Sequence, residues 1–275
     1  MNIGVIGTGN MGKILIEAFL KSSAVNEEKL YITNRTKTKA EQIKNEFPNI
    51  HVVDSPEDII KNSEYIFLCI KPLDINPLLK GLAPLLKKEQ CIVSITSPIS
   101  VEQLESVVPC AAVRVIPSIT NRVLCGTSLL TYGEHCPKHH QVYIEQIMTK
   151  ISTPLTIEEN ITRVASDITS CGPAFFTFLL RNFIEAAVAE TEITREQATL
   201  LASKMIIGLG QLLEQEVYTL ETLQEKVCVK GGITGEGIKV LEAEIGAMFN
   251  HLFQQTHAKF NHEKEKVHEQ FCIKD

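Results

Sequence analysis

The segment that most constrains the fold is the first dozen residues, in which a short apolar run leads into a glycine-rich turn. Asn2–Ile6 is typical of a buried parallel strand, and Gly7-Thr8-Gly9-Asn10-Met11-Gly12 follows it. In this G-x-G-x-x-G pattern Gly7 permits the tight turn, Gly9 lets a pyrophosphate approach the backbone, and Gly12 lets the next helix pack closely. The sequence therefore predicts a dinucleotide site at residues 7–12, with a ligand-free glycine turn as the alternative.

Composition narrows the class of protein. The chain has 275 residues, of which 44% are hydrophobic and 22% charged, and its net charge of −6 offers no basic face for nucleic acid or an anionic membrane. No apolar run reaches transmembrane length. The eight cysteines show no C-x-x-C spacing and the eight histidines no metal-ligand spacing. We therefore expect a cytoplasmic protein with small-molecule partners, with no metal site, no nucleic acid and no membrane.

The end of the second predicted strand, Lys29–Thr33, is the position that distinguishes the two nicotinamide cofactors. An acidic side chain there would bind the ribose hydroxyls of NAD, whereas arginine and small hydroxyl groups accommodate the extra phosphate of NADP. The chain has Asn34, Arg35 and Thr36 at this point. These residues predict NADP (NADPH), with Arg35 pairing with the phosphate and Asn34 and Thr36 adding neutral hydrogen bonds. NAD and a solvated basic turn remain the alternatives.

Further strands and helices alternate as far as residue 157. The strands are predicted at His51–Val53, Tyr65–Ile70, Cys91–Thr96, Ala111–Ile116 and Thr127–Tyr132. Because ligands bind at the carboxyl ends of strands in such a sheet, four residues are expected to border the cofactor: Cys69, Ile70, Lys71 and Pro72. Residues 1–157 are therefore predicted to form an α/β Rossmann domain, a doubly wound and mostly parallel sheet with both faces covered.

Beyond residue 157 the apolar spacing becomes helical, which predicts an all-helical domain over residues 158–275. The helices are predicted at 158–170, 173–191, 194–216, 219–228 and 234–268. The second of them is apolar around much of its circumference, which predicts burial in a core or between subunits. Two glycine-containing helix starts, at Gly172-Pro173 and at Lys230–Thr234, are either simple turns or sites whose free N–H groups hold a substrate carboxylate.

An ordered set of motifs resembles the pyrroline-5-carboxylate reductase family over essentially the whole chain. The motifs follow one another in the order and at the separations typical of that family. They are Gly4–Gly12, Cys69-Ile70-Lys71-Pro72, Arg114-Val115-Ile116-Pro117, Ser170–Phe175 and Gly231-Gly232-Ile233-Thr234. Within the family, the chain is most similar to the divergent ComER-type members encoded in bacterial competence operons.

The resemblance implies an activity, an assembly and a set of site residues. The activity is NADPH- or NADH-dependent reduction of 1-pyrroline-5-carboxylate to L-proline, and the helical domain forms a homodimer or a higher homo-oligomer. The active site then lies between the cofactor and the partner's helices. Backbone N–H groups of Gly231, Gly232 and Ile233 would hold the substrate carboxylate. Thr234 would approach the imine nitrogen as the catalytic residue, and Gly172 and Pro173 would border substrate and cofactor.

The chain departs from the family pattern near the substrate. The family has G-S-G-P-A where this chain has Ser170–Ala174, and S-P where it has Val229 and Lys230 before the substrate-binding turn. Ser118 stands where the family has asparagine, and Pro98 where it has glycine. The cofactor motifs are kept, so these departures bear on turnover of the usual substrate more than on cofactor binding.

Three functions remain open on these observations. The leading one is an NADP-dependent reductase of pyrroline-5-carboxylate or a close cyclic imine. The second is a regulatory protein, connected with competence or sporulation, that binds NADP(H) with little or no turnover. The third is a β-hydroxyacid dehydrogenase, which is disfavoured because Lys204 has no neighbouring amide of the kind that such enzymes use.

Overall fold

The computed structural model describes residues 1–271, in which eight strands form one sheet. The strand order is β3-β2-β1-β4-β5-β6-β7-β8, and the pairing is parallel except between β6 and β7. The strands are β1 (Ile3–Ile6), β2 (Leu30–Thr33), β3 (His51–Val52), β4 (Tyr65–Leu68), β5 (Cys91–Ser94), β6 (Ala111–Ile116), β7 (Thr127–Tyr132) and β8 (Thr153–Thr156). The prediction of a doubly wound, mostly parallel sheet is confirmed.

Alternating side chains of the strands face two separate hydrophobic clusters, one on each face of the sheet. Phe67 of β4 packs in a cluster with Phe19, whereas its neighbour Ile66 packs in a cluster with Leu79 and Val267. The helices of this part of the chain are α1 (Asn10–Lys21), α2 (Lys37–Glu46), α3 (Pro56–Asn62), α4 (Pro72–Leu82), α5 (Val101–Glu105) and α6 (Lys138–Thr149). Burial on both faces explains why the central strands read as continuous apolar runs.

The predicted fourth strand is longer than the observed one. Strand β4 ends at Leu68, and Pro72 begins helix α4, a helix that the sequence pattern did not predict. Proline favours the first position of a helix because the missing N–H would be unpaired there. A second proline, Pro77, lies inside α4 and obscures its helical pattern. Cys69 and Ile70 therefore lie in the loop between β4 and α4.

The C-terminal helices are α7 (Thr162–Ser166), α8 (Gly172–Glu190), α9 (Arg195–Glu214), α10 (Leu220–Val227), α11 (Ile233–Ile245) and α12 (Met248–Phe271). Two predicted boundaries are wrong. The chain does not break at Cys171-Gly172-Pro173, because the π-turn Asp167–Cys171 connects α7 to α8. The single helix predicted at 234–268 is interrupted at Gly246, which has φ +40°.

The chain divides into two compact units. The first comprises Met1–Pro173 and Gln255–Asp275, and the second comprises Ala174–Gln254. The division falls inside the region predicted to form the helical domain, whose boundary at 157/158 stays a prediction, and the C-terminal segment belongs to the first unit. Val267 and Phe271 explain this, because both are buried in the same cluster as the apolar side chains of α4.

A buried arginine fastens the segment after β8 to the sheet. The guanidinium of Arg114, on β6, is fully buried and donates to both carboxylate oxygens of Glu159, at 3.2 and 2.7 Å, and to the Thr162 hydroxyl at 2.7 Å. It also donates to the carbonyl oxygens of Ser97 and Ile99, each at 3.3 Å. A buried charge requires such partners, so this side chain holds α7 against the end of β5.

Within residues 1–271, no helix combines the length and the apolar character needed to cross a bilayer. In the same part of the chain, no three histidine, cysteine or acidic side chains come together in a way that could hold a metal ion.

Candidate functional site

Two of the three motif glycines are required by the packing of the chain itself. Gly7 has φ +103°, and a Cβ there would lie 2.4 Å from the carbonyl oxygen of Cys69. A Cβ at Gly12 would lie 2.2 Å from the carbonyl oxygen of Gly7. Both distances are far shorter than a van der Waals contact, so the β1–α1 turn can form only with glycine at these positions.

Gly9 is different, because nothing in the chain requires a glycine there. Its φ is −70°, and a Cβ at this position would meet no atom within 4 Å. Gly9 precedes the first residue of α1, and no side chain caps the N–H groups of that helix start. The space over Gly9 is thus open and faces unpaired donors and the positive end of the helix dipole. Both features fit the pyrophosphate of a dinucleotide.

A groove of about 640 Å³ extends from this turn along the carboxyl ends of β2, β4 and β5. It brings together most of the predicted cofactor residues, namely Gly7, Gly9, Met11, Asn34, Arg35, Thr36, Cys69, Ile70 and Lys71. Thr8 and Asn10 line an adjoining smaller pocket. Gly12 is buried at the packing contact described above, and Pro72 is the first residue of α4.

Asn34 connects two parts of this groove. The backbone N–H of Thr8 donates to Asn34 Oδ1 at 3.0 Å, and Asn34 Nδ2 donates to the carbonyl oxygen of Thr36 at 2.9 Å. The side chain therefore holds the glycine turn against the start of α2. This bracing role adds to the neutral hydrogen bond to a phosphate that the sequence predicts for Asn34.

The edge of the groove carries two cations. Arg35 and Lys39 both line it, both are exposed, and the ion pairs within residues 1–271 include neither of them. Lys37, by contrast, is paired with Asp54. Thr36 precedes α2 without capping it through its hydroxyl. Lys39 was missed from the sequence, although it lies one helical turn beyond Arg35 and only three residues after Thr36.

The surroundings of Cys69, the cysteine in the groove, disfavour its thiolate form. Burial raises the pKa of the Cys69 thiol to about 12. A thiol with that pKa is protonated at neutral pH, and only the thiolate reacts readily. The backbone of Cys69, which contacts the glycine turn, is therefore its contribution to the groove.

The predicted substrate-binding turn lies in the second unit. Gly231 has φ +76°, and the N–H of Gly232 donates to the carbonyl oxygen of Val229 at 2.9 Å. Helix α11 then begins at Ile233, with no side chain capping its first N–H groups. Val229 and Ile233 are 63% and 92% exposed, and Lys230 and Thr234 are exposed as well. The turn thus presents the backbone N–H groups of Gly231 and Ile233 beside a lysine and a threonine, whereas the N–H of Gly232 is engaged within the turn.

The other predicted helix start, at Gly172-Pro173, lies within continuous helical backbone. Gly172 is buried, has helical backbone angles, and continues from the π-turn Asp167–Cys171. A carboxylate hole built from free N–H groups at Gly172-Pro173 is therefore ruled out by the continuous helical backbone. The expectation that Gly172 and Pro173 border a substrate is a separate one, and it stays a prediction.

Apolar side chains are exposed on several helices of the second unit. On α8, Phe178 is 64% and Phe183 is 65% exposed, and on α9 the exposed residues include Leu201 and Ile207. A small buried cluster of Ile184, Ala198 and Ala202 joins these helices. The apolar faces of α8 and α9 are larger than this contact covers, so burial between subunits fits α8 better than burial in a core.

Comparisons with known proteins agree with this architecture. The family model for pyrroline-5-carboxylate reductase dimerisation matches residues 159–263, and the model for coenzyme F420-dependent NADP oxidoreductase matches residues 2–98. ComE operon protein 4 of Bacillus subtilis (strain 168) is 53% identical, covering 99% of this chain and 100% of its own. Pyrroline-5-carboxylate reductase 3 of the same strain is 29% identical and covers 98% of both chains.

Solved structures show the same fold. A pyrroline-5-carboxylate reductase from Coxiella burnetii matches with a TM-score of 0.84 at 22% identity, over 97% of this chain and 98% of its own. The Plasmodium falciparum pyrroline carboxylate reductase with NADP bound matches with a TM-score of 0.81 at 21% identity, over 99% and 98%. The resemblance seen in the sequence motifs is confirmed, and the chain belongs to the pyrroline-5-carboxylate reductase family.

Proposed function

We propose that this chain is an NADPH-dependent reductase of a cyclic imine carboxylate, converting 1-pyrroline-5-carboxylate to L-proline. The observation that carries the proposal is the combination of an open phosphate cradle at Gly9 with the exposed turn at Gly231–Ile233, where helix α11 begins without a side-chain cap. An enzyme of this kind needs little acid–base machinery of its own, because the cofactor supplies the hydride when bound. The chain itself has to bind the cofactor, orient the substrate and polarise the imine bond.

The residues divide this work between them. The start of α1 binds the pyrophosphate, while Arg35, Thr36 and Lys39 bind the 2′-phosphate. The turn Gly231–Ile233 orients the substrate through its carboxylate, using the N–H groups of Gly231 and Ile233. The hydride would go to the imine carbon and a proton from solvent to the imine nitrogen, to which the Thr234 hydroxyl would donate a hydrogen bond that stabilises the charge developing there. Lys230 adds a positive charge beside the carboxylate, which the proline of the usual pattern does not provide.

A second function is favoured by a specific observation. The relative at 53% identity is named for a competence operon and not as a reductase, and Val229 and Lys230 alter the turn that would hold the substrate. A regulatory protein that binds NADP(H) on the reductase scaffold would keep the groove and lose turnover.

Turnover separates the two functions. We expect the protein to oxidise NADPH when 1-pyrroline-5-carboxylate is added, with L-proline as the product, measured by absorbance and amino-acid analysis. Thr234→Val should lower kcat by roughly tenfold or more with NADPH binding unchanged, and Thr234→Ser should retain activity because it keeps the hydroxyl. NADPH binding, followed by fluorescence, without any oxidation would contradict the reductase and support the regulatory function.

Cofactor preference tests the basic edge of the groove. The protein should bind NADPH more tightly than NADH, because Arg35 and Lys39 are free to bind the 2′-phosphate. Arg35→Ala and Lys39→Ala should each weaken NADPH binding by roughly tenfold, the effect of one charge-assisted hydrogen bond, and leave NADH binding unchanged. Lys37→Ala is the matched control, since Lys37 is paired with Asp54 and should contribute little. Equal affinities of the wild type for NADPH and NADH would refute this assignment.

Assembly follows from the exposed apolar faces of the second unit. We propose a homodimer, or a higher homo-oligomer built from such dimers, formed through α8 and its neighbours, and light scattering should show no monomer at micromolar concentration. Phe178→Glu should shift the protein to monomer, because it places a charge in the interface. Leu85→Glu, at an exposed apolar position of the first unit, should remain dimeric. A monomeric wild type would contradict assembly through these apolar faces.

A further inference from the structure

Pro173 leaves a backbone carbonyl group of the preceding turn without its helical partner. In a continuous α-helix the N–H of residue 173 would donate to the carbonyl oxygen of Thr169, four residues earlier. Proline has no N–H, and its ring crowds the same carbonyl group. The chain accommodates it with the π-turn Asp167–Cys171 immediately before α8. The Thr169 carbonyl group therefore lacks the N–H donor that a continuous α-helix would give it.

A donor at the end of β6 takes its place. The Ser118 hydroxyl donates to the Thr169 carbonyl oxygen at 2.8 Å, and the Ser170 hydroxyl donates in return to the Pro117 carbonyl oxygen at 2.9 Å. We call this reciprocal pair of bonds, made by Ser118 and Ser170, the serine clamp. Ser118 is fully buried, where a lost hydrogen bond is costly.

The strand side of the serine clamp is rigid. The N–H of Ser118 donates to Asn121 Oδ1 at 2.8 Å, and Asn121 Nδ2 donates to the carbonyl oxygen of Cys125 at 3.0 Å. Asn121 is fully buried, and the Thr120 hydroxyl donates to Ser118 Oγ at 2.9 Å. Such a network fixes both the position and the direction of the Ser118 hydroxyl.

The serine clamp also lies at the edge of the sheet where ligands bind. It joins the π-turn to the carboxyl end of β6, and the next strand, β5, leads into Ile95 and Thr96, which line the cofactor groove. Gly172 and Pro173 follow the clamped turn directly. A displacement of the π-turn would move these two residues relative to the groove.

The serine clamp unites two departures from the family pattern. Ser118 stands where asparagine is usual and Ser170 where glycine is usual. A glycine at 170 would have no hydroxyl to donate to Pro117, so the second bond exists only because of this departure. The two serines therefore act together.

We propose that Ser118 and Ser170 are positioning residues for the reduction, holding Gly172 and Pro173 where they border the substrate. This inference rests on the proposed function and assigns a role that the glycine turn and the carboxylate-binding turn do not fill. The serines act through the π-turn. Their loss should therefore affect the use of the imine and leave the binding of NADPH unchanged.

The test compares Ser118→Ala and Ser170→Ala with two controls. Each variant should lower kcat/KM for 1-pyrroline-5-carboxylate by roughly threefold to tenfold, mainly through KM, with an unchanged Kd for NADPH. Ser170→Thr should behave as wild type, because it keeps the hydroxyl at a partly exposed position. Ser128→Ala removes the buried bond between the Ser128 and Ser152 hydroxyls, 2.6 Å apart on β7 and after α6, and should lower Tm without changing KM.

Failure of this inference can be distinguished from failure of the proposed function. An active wild type whose Ser118→Ala and Ser170→Ala variants keep the wild-type KM and kcat would overturn the positioning role alone. A loss in these variants that also appears in Ser128→Ala would overturn it too, since it would reflect stability. A wild type that does not reduce the imine contradicts the proposed function before any variant is made, and the positioning role is overturned with it.

Discussion

The structure depends on one close approach of backbone to backbone, at the turn between β1 and α1. The carbonyl groups of Gly7 and Cys69 occupy the space that side chains at residues 12 and 7 would need. This contact brings the start of α1 to the carboxyl edge of the sheet, between β2 and β4. The uncapped N–H groups of α1, the loop after β4 and the basic start of α2 therefore converge on one groove.

A second constraint fixes the segment that leaves the sheet. Arg114 can be buried because Glu159 and Thr162 accept hydrogen bonds from its guanidinium. The Thr169 carbonyl oxygen, to which Pro173 has no N–H to donate, accepts a hydrogen bond from the Ser118 hydroxyl. Both anchors come from β6 or its end. The path from β8 into α8 is thus set by polar bonds to one strand, which explains why residues 158–173 belong with the sheet and not with the helices that follow.

The parts of the fold that could be predicted from the sequence are those governed by local patterns. Apolar runs and the glycine turn predict β1 to β7 and the cofactor edge, because each signal lies within a few residues. Strand β8 was not predicted, because its four residues are largely exposed and form no apolar run. The π-turn could not be predicted, since Gly172-Pro173 also signals a helix break and the deciding bonds come from Ser118. The position of Lys39 in the groove could not be predicted, because its sequence context is that of any exposed lysine on a helix. The break at Gly246 was hidden because the apolar spacing continues on both sides of it.

Gly9 is open for a ligand, whereas Gly12 is closed by the protein. The two positions can be compared by measuring Tm and NADPH binding for Gly9→Ala and Gly12→Ala. We expect Gly9→Ala to keep the wild-type Tm and lose NADPH affinity, because its Cβ meets no protein atom but occupies the phosphate cradle. Gly12→Ala should be destabilised by roughly 1–3 kcal/mol through the contact with Gly7. A Gly9→Ala protein that binds NADPH as tightly as the wild type would contradict the account.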